Sequence, residues 1–181
     1  MIPQRYLVAV ILAILWIVPL AFKIGGTRPK AVTKDRSASA GLVLQGLAMV
    51  IVWIVPAAYV PNWRIVSGIF LSLLGIAIVQ AALRHLDQQW RLDAALSANH
   101  QLIRTGPYAM LRHPIYSAMF ARVLGTGLLL ARWPAILAGA LLHIAGTEIR
   151  IRSEEKLLRA RFGEQFDTWA SHLWAYVPFI R

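Results

Sequence analysis

Residues 105–131 read TGPYAMLRHPIYSAMFARVLGTGLLLA, and a rigid polar segment leads there directly into an apolar run. Gly106 followed by Pro107 predicts a turn. Pro114 fixes its own φ and disfavours helix at the residue before it, so a helix is expected to begin at about Pro114. Residues 114–131 contain one charged side chain, Arg122, and approach the roughly 20 apolar residues that cross a bilayer. We therefore predict a membrane-spanning helix here.

The same reading extends along the chain. Hydrophobic residues make up 58% of the sequence and charged residues 15%, whereas a soluble domain has about 25% charged residues. Each span must be helical, because lipid cannot satisfy free backbone groups. The fold class predicted is an all-α, polytopic integral membrane protein with about five transmembrane helices and a cytosolic, amphipathic C-terminal helix. The predicted spans are residues 6–22, 40–60, 65–83, 114–131 and 133–150.

Charge and cysteine content narrow the functional class. The formal net charge is +11, but nucleic-acid binding needs a basic face on a soluble domain. Long apolar runs make the lipid bilayer, with its anionic headgroups, the expected partner, and no nucleic acid. There is no Cys, which excludes disulfides, thiolate nucleophiles and Cys-ligated zinc. No metal-ligand set is evident, and we expect no metal.

Basic residues also predict an orientation. Pro61 to Arg64 and Arg132 to Pro134 are expected to be short turns on one side, and 15 of the 19 Lys and Arg residues fall on the other. The positive-inside rule then places the N-terminus outside and the C-terminus in the cytosol. The absence of Cys and the short loops are consistent with a bacterial inner membrane. The basic residues assigned to the cytosolic side are Lys23, Arg28, Lys30, Lys34, Arg36, Arg84, Arg91, Arg104, Arg112, Arg150, Arg152, Lys156, Arg159, Arg161 and Arg181.

A charged stretch, EIRIRSEEKLLRARFGEQF at residues 148–166, follows the fifth span. Residues 153–169 show the apolar spacing of an amphipathic helix, which we expect to continue from span five without a break. Charges four residues apart contribute about 0.2–0.5 kcal/mol per pair to a helix. A solvated, salt-bridged helix would explain them, but they lie where span five leaves the membrane, beneath the start of span four. The expected pairs are Glu148 with Arg152, Arg150 with Glu154, and Glu155 with Arg159.

Two motifs together, HQLIRTGPYAMLRHPIYSAMF and RIRSEEKLLRARFGEQFDTW, resemble the isoprenylcysteine carboxyl methyltransferase family, whose wider group includes phospholipid N-methyltransferases. The resemblance begins at Trp90 and covers the C-terminal half. It implies a single membrane methyltransferase domain over residues 1–181, with cofactor-site segments at 90–116 and 148–170. The implied cofactor is S-adenosylmethionine, with S-adenosylhomocysteine as product.

The resemblance also implies individual roles. Arg150 and Arg112 are the candidate catalytic residues; Arg150 would receive the substrate carboxylate and Arg112 would support the pocket. Glu154 would be the acid that holds the cofactor. The remaining implied cofactor residues are Asp93, His100, Gln101, Leu102, Ile103, Gly106, Pro107, Tyr108, His113, Pro114, Ile115 and Tyr116.

The chemistry agrees with this assignment, since a carboxylate is already a nucleophile at neutral pH and needs alignment rather than a strong base. An Arg fork suits a carboxylate. Arg122 lies inside a span, where it could contact an acidic substrate headgroup or pair with a backbone carbonyl. His143 is expected to be an interhelical hydrogen-bonding residue.

The expected reaction is methylation of the carboxylate of a lipophilic, isoprenylcysteine-like substrate that enters from the membrane. Three alternatives remain open. They are N-methylation of a phospholipid amine, an NADPH-dependent reductase of sterol-reductase type, and a non-catalytic membrane scaffold.

Overall fold

A computed structural model describes residues 4–25 and 30–177. It is mostly helical, at 73%, as predicted. Arg28 and Arg181, which contribute to the charge asymmetry, lie outside the described residues. The helices are α1 (Gln4–Gly25), α2 (Ala38–Ile54), α3 (Asn62–Leu86), α4 (Pro114–Leu130), α5 (Trp133–Phe162) and α6 (Glu164–Ala170), and the strands are β1 (Ala31–Lys34) and β2 (Ala95–Ser97).

Among the residues that the structure describes, three helices are long and apolar enough to cross a membrane. They lie within Gln4–Ile24, Asn62–Gln89 and Trp133–Phe162. Helices α2 and α4 are also apolar but have 17 residues each, at the lower limit for a span. The chain is therefore a membrane protein with several apolar helices, and five crossings remain a prediction.

The end predicted for the second span, residue 60, is wrong. Helix α2 stops at Ile54, because Val55 precedes Pro56 and the proline ring disfavours helical backbone there. The segment that follows pairs instead with the turn between α4 and α5: Ala57 N–H donates to Leu130 O (2.7 Å), and Arg132 N–H donates to Val55 O (3.1 Å). The expected turn over residues 61–64 is also displaced, since α3 already begins at Asn62.

The chain is not purely helical, which corrects the all-α prediction. Strands β1 and β2 pair antiparallel, with Ala31 opposite Ser97 and Lys34 opposite Ala95. Both strands lie in segments between the predicted spans, on the side predicted to be cytosolic. Outside the membrane a two-stranded pair can leave its edges to water, so it does not conflict with the requirement for helices inside lipid.

Glycines allow the apolar helices to cross closely. A Cβ at Gly68 on α3 would lie 2.8 Å from Gly125 O on α4. On the other side of the bundle, a Cβ at Gly41 on α2 would collide with Gly146 O on α5. The α3–α4 and α2–α5 pairs form the centre of the bundle, and α1 packs against α3 and α4 at its edge.

Helix α5 continues out of its apolar half as predicted, and it reaches Phe162. The expected unbroken helix to Trp169 is wrong, however, because Gly163 takes a φ of +52° and separates α5 from α6. That conformation is accessible to glycine and strained for most other residues. The charged half of α5 therefore ends at Phe162, and α6 begins as a separate helix at Glu164.

Candidate active site

A charged cluster forms where the start of α4 meets the charged half of α5. His113, the residue before α4, lies between two carboxylates: its Nδ1 is 3.5 Å from Glu154 Oε2 and its Nε2 is 3.3 Å from Glu155 Oε1. Burial disfavours the charged imidazole, but hydrogen bonds to Glu154 and Glu155 outweigh it and raise the pKa of His113. The two sequence motifs therefore meet in one cluster.

Arg150 is held on the cavity side of this cluster. Its Nε donates to the Tyr116 hydroxyl (2.8 Å), and its Nη2 donates to Leu92 O (2.7 Å). The Tyr116 hydroxyl in turn donates to Glu154 Oε1, and Arg150 Nη2 lies 3.5 Å from the same oxygen. Arg150, Tyr116 and Glu154 therefore contact one another in a triangle. The Nε and Nη2 atoms of Arg150 are both engaged by other groups of the protein.

The predicted pairs four residues apart are all present on α5. Arg150 pairs with Glu154 at 3.5 Å, Arg152 with Glu148 at 3.8 Å and Arg159 with Glu155 at 3.9 Å. In the first pair the side chains are 6% and 26% exposed, whereas Arg152 and Arg159 of the other two pairs are 76% and 50% exposed. The helical spacing therefore supplied one complete ion pair to the cluster.

The chain after α6 fixes the loop before α4. Arg112 N–H donates to Trp174 O (2.9 Å) and His113 N–H donates to Ala175 O (2.8 Å). Tyr176 packs with Tyr116 in a buried apolar cluster. The sequence motifs gave no indication of this contact, since nothing local in residues 173–177 predicts a partner 60 residues away.

A cavity of about 230 Å³ opens beside the cluster. Most of the predicted site residues line it, including both catalytic candidates and Glu154. Gly106, Pro107, Pro114 and Arg122 are not among its lining residues. The predicted residues that line it are Asp93, His100, Gln101, Leu102, Ile103, Tyr108, Arg112, His113, Ile115, Tyr116, Arg150 and Glu154.

Aromatic rings are among the groups that line the cavity. His100 and Tyr108 line it together with Trp90. Burial, with the nearby Arg161 and Arg91 charges, lowers the pKa of His100, so its imidazole is neutral at pH 7. Within the described part of the chain, the buried His100 Nδ1 has no hydrogen-bond partner. Aromatic faces, an unpartnered ring nitrogen and the Glu154 carboxylate together fit a purine nucleoside that carries an ammonium group.

Asp93 lies at the rim and is already paired. Its carboxylate is 3.0 Å from Lys34 Nζ on β1 and 3.1 Å from Arg91 Nε. Burial opposes ionisation, but these two cations outweigh it and lower the pKa of Asp93. The side chain therefore ties β1 to the cavity wall as a carboxylate.

Arg122 and His143 serve contacts between helices. Arg122 Nη1 donates to Leu12 O on α1 (3.1 Å) and its guanidinium lies over the Trp16 ring, which matches the backbone-carbonyl alternative. His143 Nε2 lies 3.2 Å from Thr147 Oγ1, which itself accepts from Gln45 on α2 at 2.9 Å. Because His143 and Thr147 both belong to α5, this hydrogen bond lies within one helix. His143 contacts another helix through its ring, which stacks on Phe120 of α4 with ring centroids 5.6 Å apart, and the predicted interhelical hydrogen bond stays a prediction.

Several lining residues were missed by the sequence motifs. Trp16 and Leu20 come from α1, Leu42 and Gln45 from α2, and Met119 from α4. Apolar residues in a span give no local signal of what they face. Gln45 does give a local signal, because a single amide in a charge-free apolar run indicates a functional position.

The family can now be decided. The family model described as phospholipid methyltransferase matches residues 63–165, more than half of the chain. This chain belongs to the phospholipid methyltransferase family. The matched segment contains the α3–α4 pair, the cavity wall at residues 90–116 and the charged half of α5, so the family match and the cluster coincide.

The curated relatives include isoprenylcysteine methyltransferases, in agreement with the predicted resemblance, and also a metal-resistance protein. The nickel-cobalt-cadmium resistance protein NccN of Alcaligenes xylosoxydans xylosoxydans is 31% identical over 116 residues, which cover 62% of this chain and 53% of that protein. The protein-S-isoprenylcysteine O-methyltransferase of Tribolium castaneum is 27% identical over 121 residues, 66% of this chain and 43% of that protein. The chain spans about half the length of the curated relatives it matches.

The fold of this chain resembles that of a solved methyltransferase structure. The eukaryotic intramembrane Ras methyltransferase, isoprenylcysteine carboxyl methyltransferase, superposes with a TM-score of 0.62 at 24% identity, over 80% of this chain and 51% of that one. The resemblance predicted from the two motifs is thereby confirmed at the level of fold.

In residues 4–25 and 30–177, no group of three or more His, Asp or Glu side chains is placed to hold a metal ion.

Proposed function

We propose that this protein is an S-adenosylmethionine-dependent methyltransferase at the cytosolic membrane face, which methylates the carboxylate of a lipophilic, isoprenylcysteine-like substrate. The observation that supports it is the Arg150–Tyr116–Glu154 triangle at the edge of a cavity with one polar and one apolar end. Arg150, a cation that can bind a substrate carboxylate, lies next to Glu154, an anion that can bind the cofactor's ammonium group.

The polar end would hold the cofactor. S-adenosylmethionine supplies, when bound, a methyl group on a positively charged sulfur. Glu154 would accept hydrogen bonds from its ammonium group, since a carboxylate and an ammonium form strong charge-assisted bonds. His100 would offer Nδ1 to the purine, and Tyr108 and Trp90 would cover its faces.

Arg150 would orient the methyl acceptor. Its Nε and Nη2 donate to Tyr116 and Leu92, so the guanidinium is held in one position. A substrate carboxylate that binds to it would therefore be held in one orientation. A carboxylate has no proton to lose, so its methylation would need no general base: the C–O bond would form as the C–S bond of the sulfonium breaks, with S-adenosylhomocysteine as the leaving group. Alignment and exclusion of water supply the catalytic gain.

The apolar end would take the lipophilic part of the substrate. Trp16 and Leu20 of α1, Val79 of α3 and Met119 of α4 line the cavity on the side of the apolar helices. Burial of a chain of methylene groups there contributes about 0.8 kcal/mol per group. A lipid-borne acid could then enter sideways from the bilayer, with its carboxylate leading toward Arg150.

The decisive test combines binding and turnover. Purified protein in nanodiscs should bind S-adenosylhomocysteine in a calorimetric titration and should not bind NADPH. It should transfer a labelled methyl group to N-acetyl-S-farnesylcysteine. Binding of NADPH alone would replace the proposal with the reductase alternative, and binding of neither ligand would favour a scaffold.

N-methylation of a phospholipid amine is the second candidate, because the family that matches residues 63–165 is described as phospholipid methyltransferase. An amine reacts only in its neutral form, so this reaction needs a proton acceptor beside the cavity. His113 is already shared between two carboxylates and would have to supply it. Labelled methyl transfer to phosphatidylethanolamine vesicles, compared with the farnesylated acid, separates the two reactions.

A further inference from the structure

One buried amide among the residues that line the cavity has a hydrogen-bonding atom without a partner. Gln45 on α2 is 4% exposed and lines the cavity. Among the described residues, no group lies within hydrogen-bonding distance of its buried Oε1. A buried acceptor without a partner costs about 1–3 kcal/mol, so this oxygen, on a residue that lines the cavity, is suited to accept a hydrogen bond from a ligand.

The other end of the amide is fixed. Gln45 Nε2 donates to Thr147 Oγ1 at 2.9 Å, and that hydroxyl has His143 Nε2 at 3.2 Å as its next partner. This chain of contacts runs from α2 into α5 and uses the amide nitrogen as donor. The amide oxygen is therefore the group that remains for a ligand.

The backbone around Gln45 is positioned with little freedom. Its Cγ lies 3.1 Å from where a Cβ of Gly146 would be, and a Cβ at Gly41, one turn earlier on α2, would meet Arg150 Cγ at 2.7 Å. The close crossing of α2 and α5 thus fixes Gln45 one helical turn from the residue proposed to bind the carboxylate.

Gln45 also lies outside the segment that the family shares. The family match covers residues 63–165, and α2 ends at Ile54. The residues proposed to hold the cofactor and the carboxylate fall inside the match. A polar group contributed by α2 is thus suited to distinguish one methyl acceptor from another rather than to perform the shared reaction.

We infer that Gln45 is a specificity-determining residue whose Oε1 accepts a hydrogen bond from the methyl acceptor. The substrate class is then a lipophilic acid that carries an N–H or O–H donor near its carboxylate, such as the amide N–H of an acylated amino acid. This inference rests on the proposed function, since it names the substrate of the same cavity.

The test uses two acids that differ only in the donor. N-acetyl-S-farnesylcysteine has an amide N–H beside its carboxylate, and S-farnesyl-3-thiopropionic acid has hydrogen in place of the acetamido group. The wild-type protein in nanodiscs should prefer the first by about tenfold in kcat/KM, the effect of one satisfied buried hydrogen bond. Gln45→Met should reduce kcat/KM for the first acid to that of the second and leave the second unchanged.

Gln80→Met is the matched control. Gln80 is also an amide in an apolar helix, and it lines a separate surface pocket with Lys23 and Asp87 rather than the cavity. It should keep the wild-type preference. S-adenosylhomocysteine affinity and Tm, measured for both variants, separate a loss of preference from a loss of folding, because a purely structural role would lower turnover of both acids together.

Two results would overturn the inference: equal kcat/KM of the wild type for both acids, or an equal loss for both in Gln45→Met. If the wild type methylates neither acid, the proposed carboxyl methylation fails, and the Gln45 inference is then decided by thermal stabilisation with the same pair. Equal stabilisation by both acids would reject it, and selective stabilisation by the amide, lost in Gln45→Met, would support it.

Discussion

Glu155 Oε1 lies 2.8 Å from Arg112 Nη1, and both side chains are largely buried. The carboxylate belongs to α5 and the guanidinium to the loop before α4, so this pair joins the two segments that the sequence motifs defined. Glu155 also reaches His113 Nε2 at 3.3 Å. One carboxylate therefore holds two consecutive residues of the loop that lines the cavity.

Breaking this pair should loosen the loop. Removal of one partner from a buried ion pair costs about 3–5 kcal/mol, so Glu155→Gln and Arg112→Met should each lower Tm markedly and weaken S-adenosylhomocysteine binding. The double variant should lose much less than the sum of the two, because it leaves no uncompensated charge. Additive losses in thermal denaturation would show that the pair is not coupled.

Arg150 is expected to act on turnover more than on cofactor binding. Arg150→Ala should abolish methyl transfer to the farnesylated acid, while S-adenosylhomocysteine affinity measured by calorimetry changes by only a few-fold, since the carboxylate contact is lost and Glu154 remains. Arg152→Ala is the control, because that side chain is 76% exposed. An active Arg150→Ala protein would remove the assigned role.

Glu154 is expected to show the opposite pattern. Glu154→Gln replaces a charged acceptor by a neutral one, and hydrogen bonds to charged groups contribute about 1.5–3 kcal/mol, so the Kd for S-adenosylhomocysteine should rise roughly tenfold to a hundredfold. Glu164→Gln, at an exposed position on α6, should leave the Kd unchanged. A silent Glu154→Gln variant would point to a scaffold without a cofactor.

His113 predicts a pH dependence of stability. Its folded-state pKa is raised by Glu154 and Glu155 against the opposing effect of burial, whereas the unfolded value is about 6.5. The stabilisation is then fully present below about pH 6.5 and is lost as the pH rises through the higher folded-state pKa. The Tm difference between wild type and His113→Gln should therefore be largest near pH 6 and shrink as the pH rises through the raised folded-state pKa. A difference that grows with pH would contradict the assigned charge state.

The α2–α5 crossing should be intolerant of side chains at one glycine and tolerant at another. Gly41→Ala places a Cβ against Gly146 O and Arg150 Cγ, which forces the helices apart and should lower both Tm and turnover. Gly46→Ala, on the same helix, meets nothing within 4 Å and should raise helix stability by up to about 1 kcal/mol. Equal Tm changes in the two variants would show that the crossing is not tight.

Local patterns in the sequence were sufficient for most of the apolar helices and for one ion pair of the site. Apolar run length predicted α1, α3, α4 and α5, because the bilayer sets the length of any apolar helix that crosses it. The spacing of four residues predicted Arg150–Glu154, because helix geometry alone brings these side chains together. Pro114 predicted the start of α4, since a proline ring fixes the backbone at the first turn.

Only the tertiary structure decided which of these residues share a cavity. The β1–β2 pair, the contact of residues 174–175 with Arg112 and His113, and the placement of Gln45 all join segments far apart in the chain. None of these contacts produces a periodic pattern in the sequence. A backbone hydrogen bond or a single buried amide depends on the group that lies next to it in space and not on its neighbours in the chain.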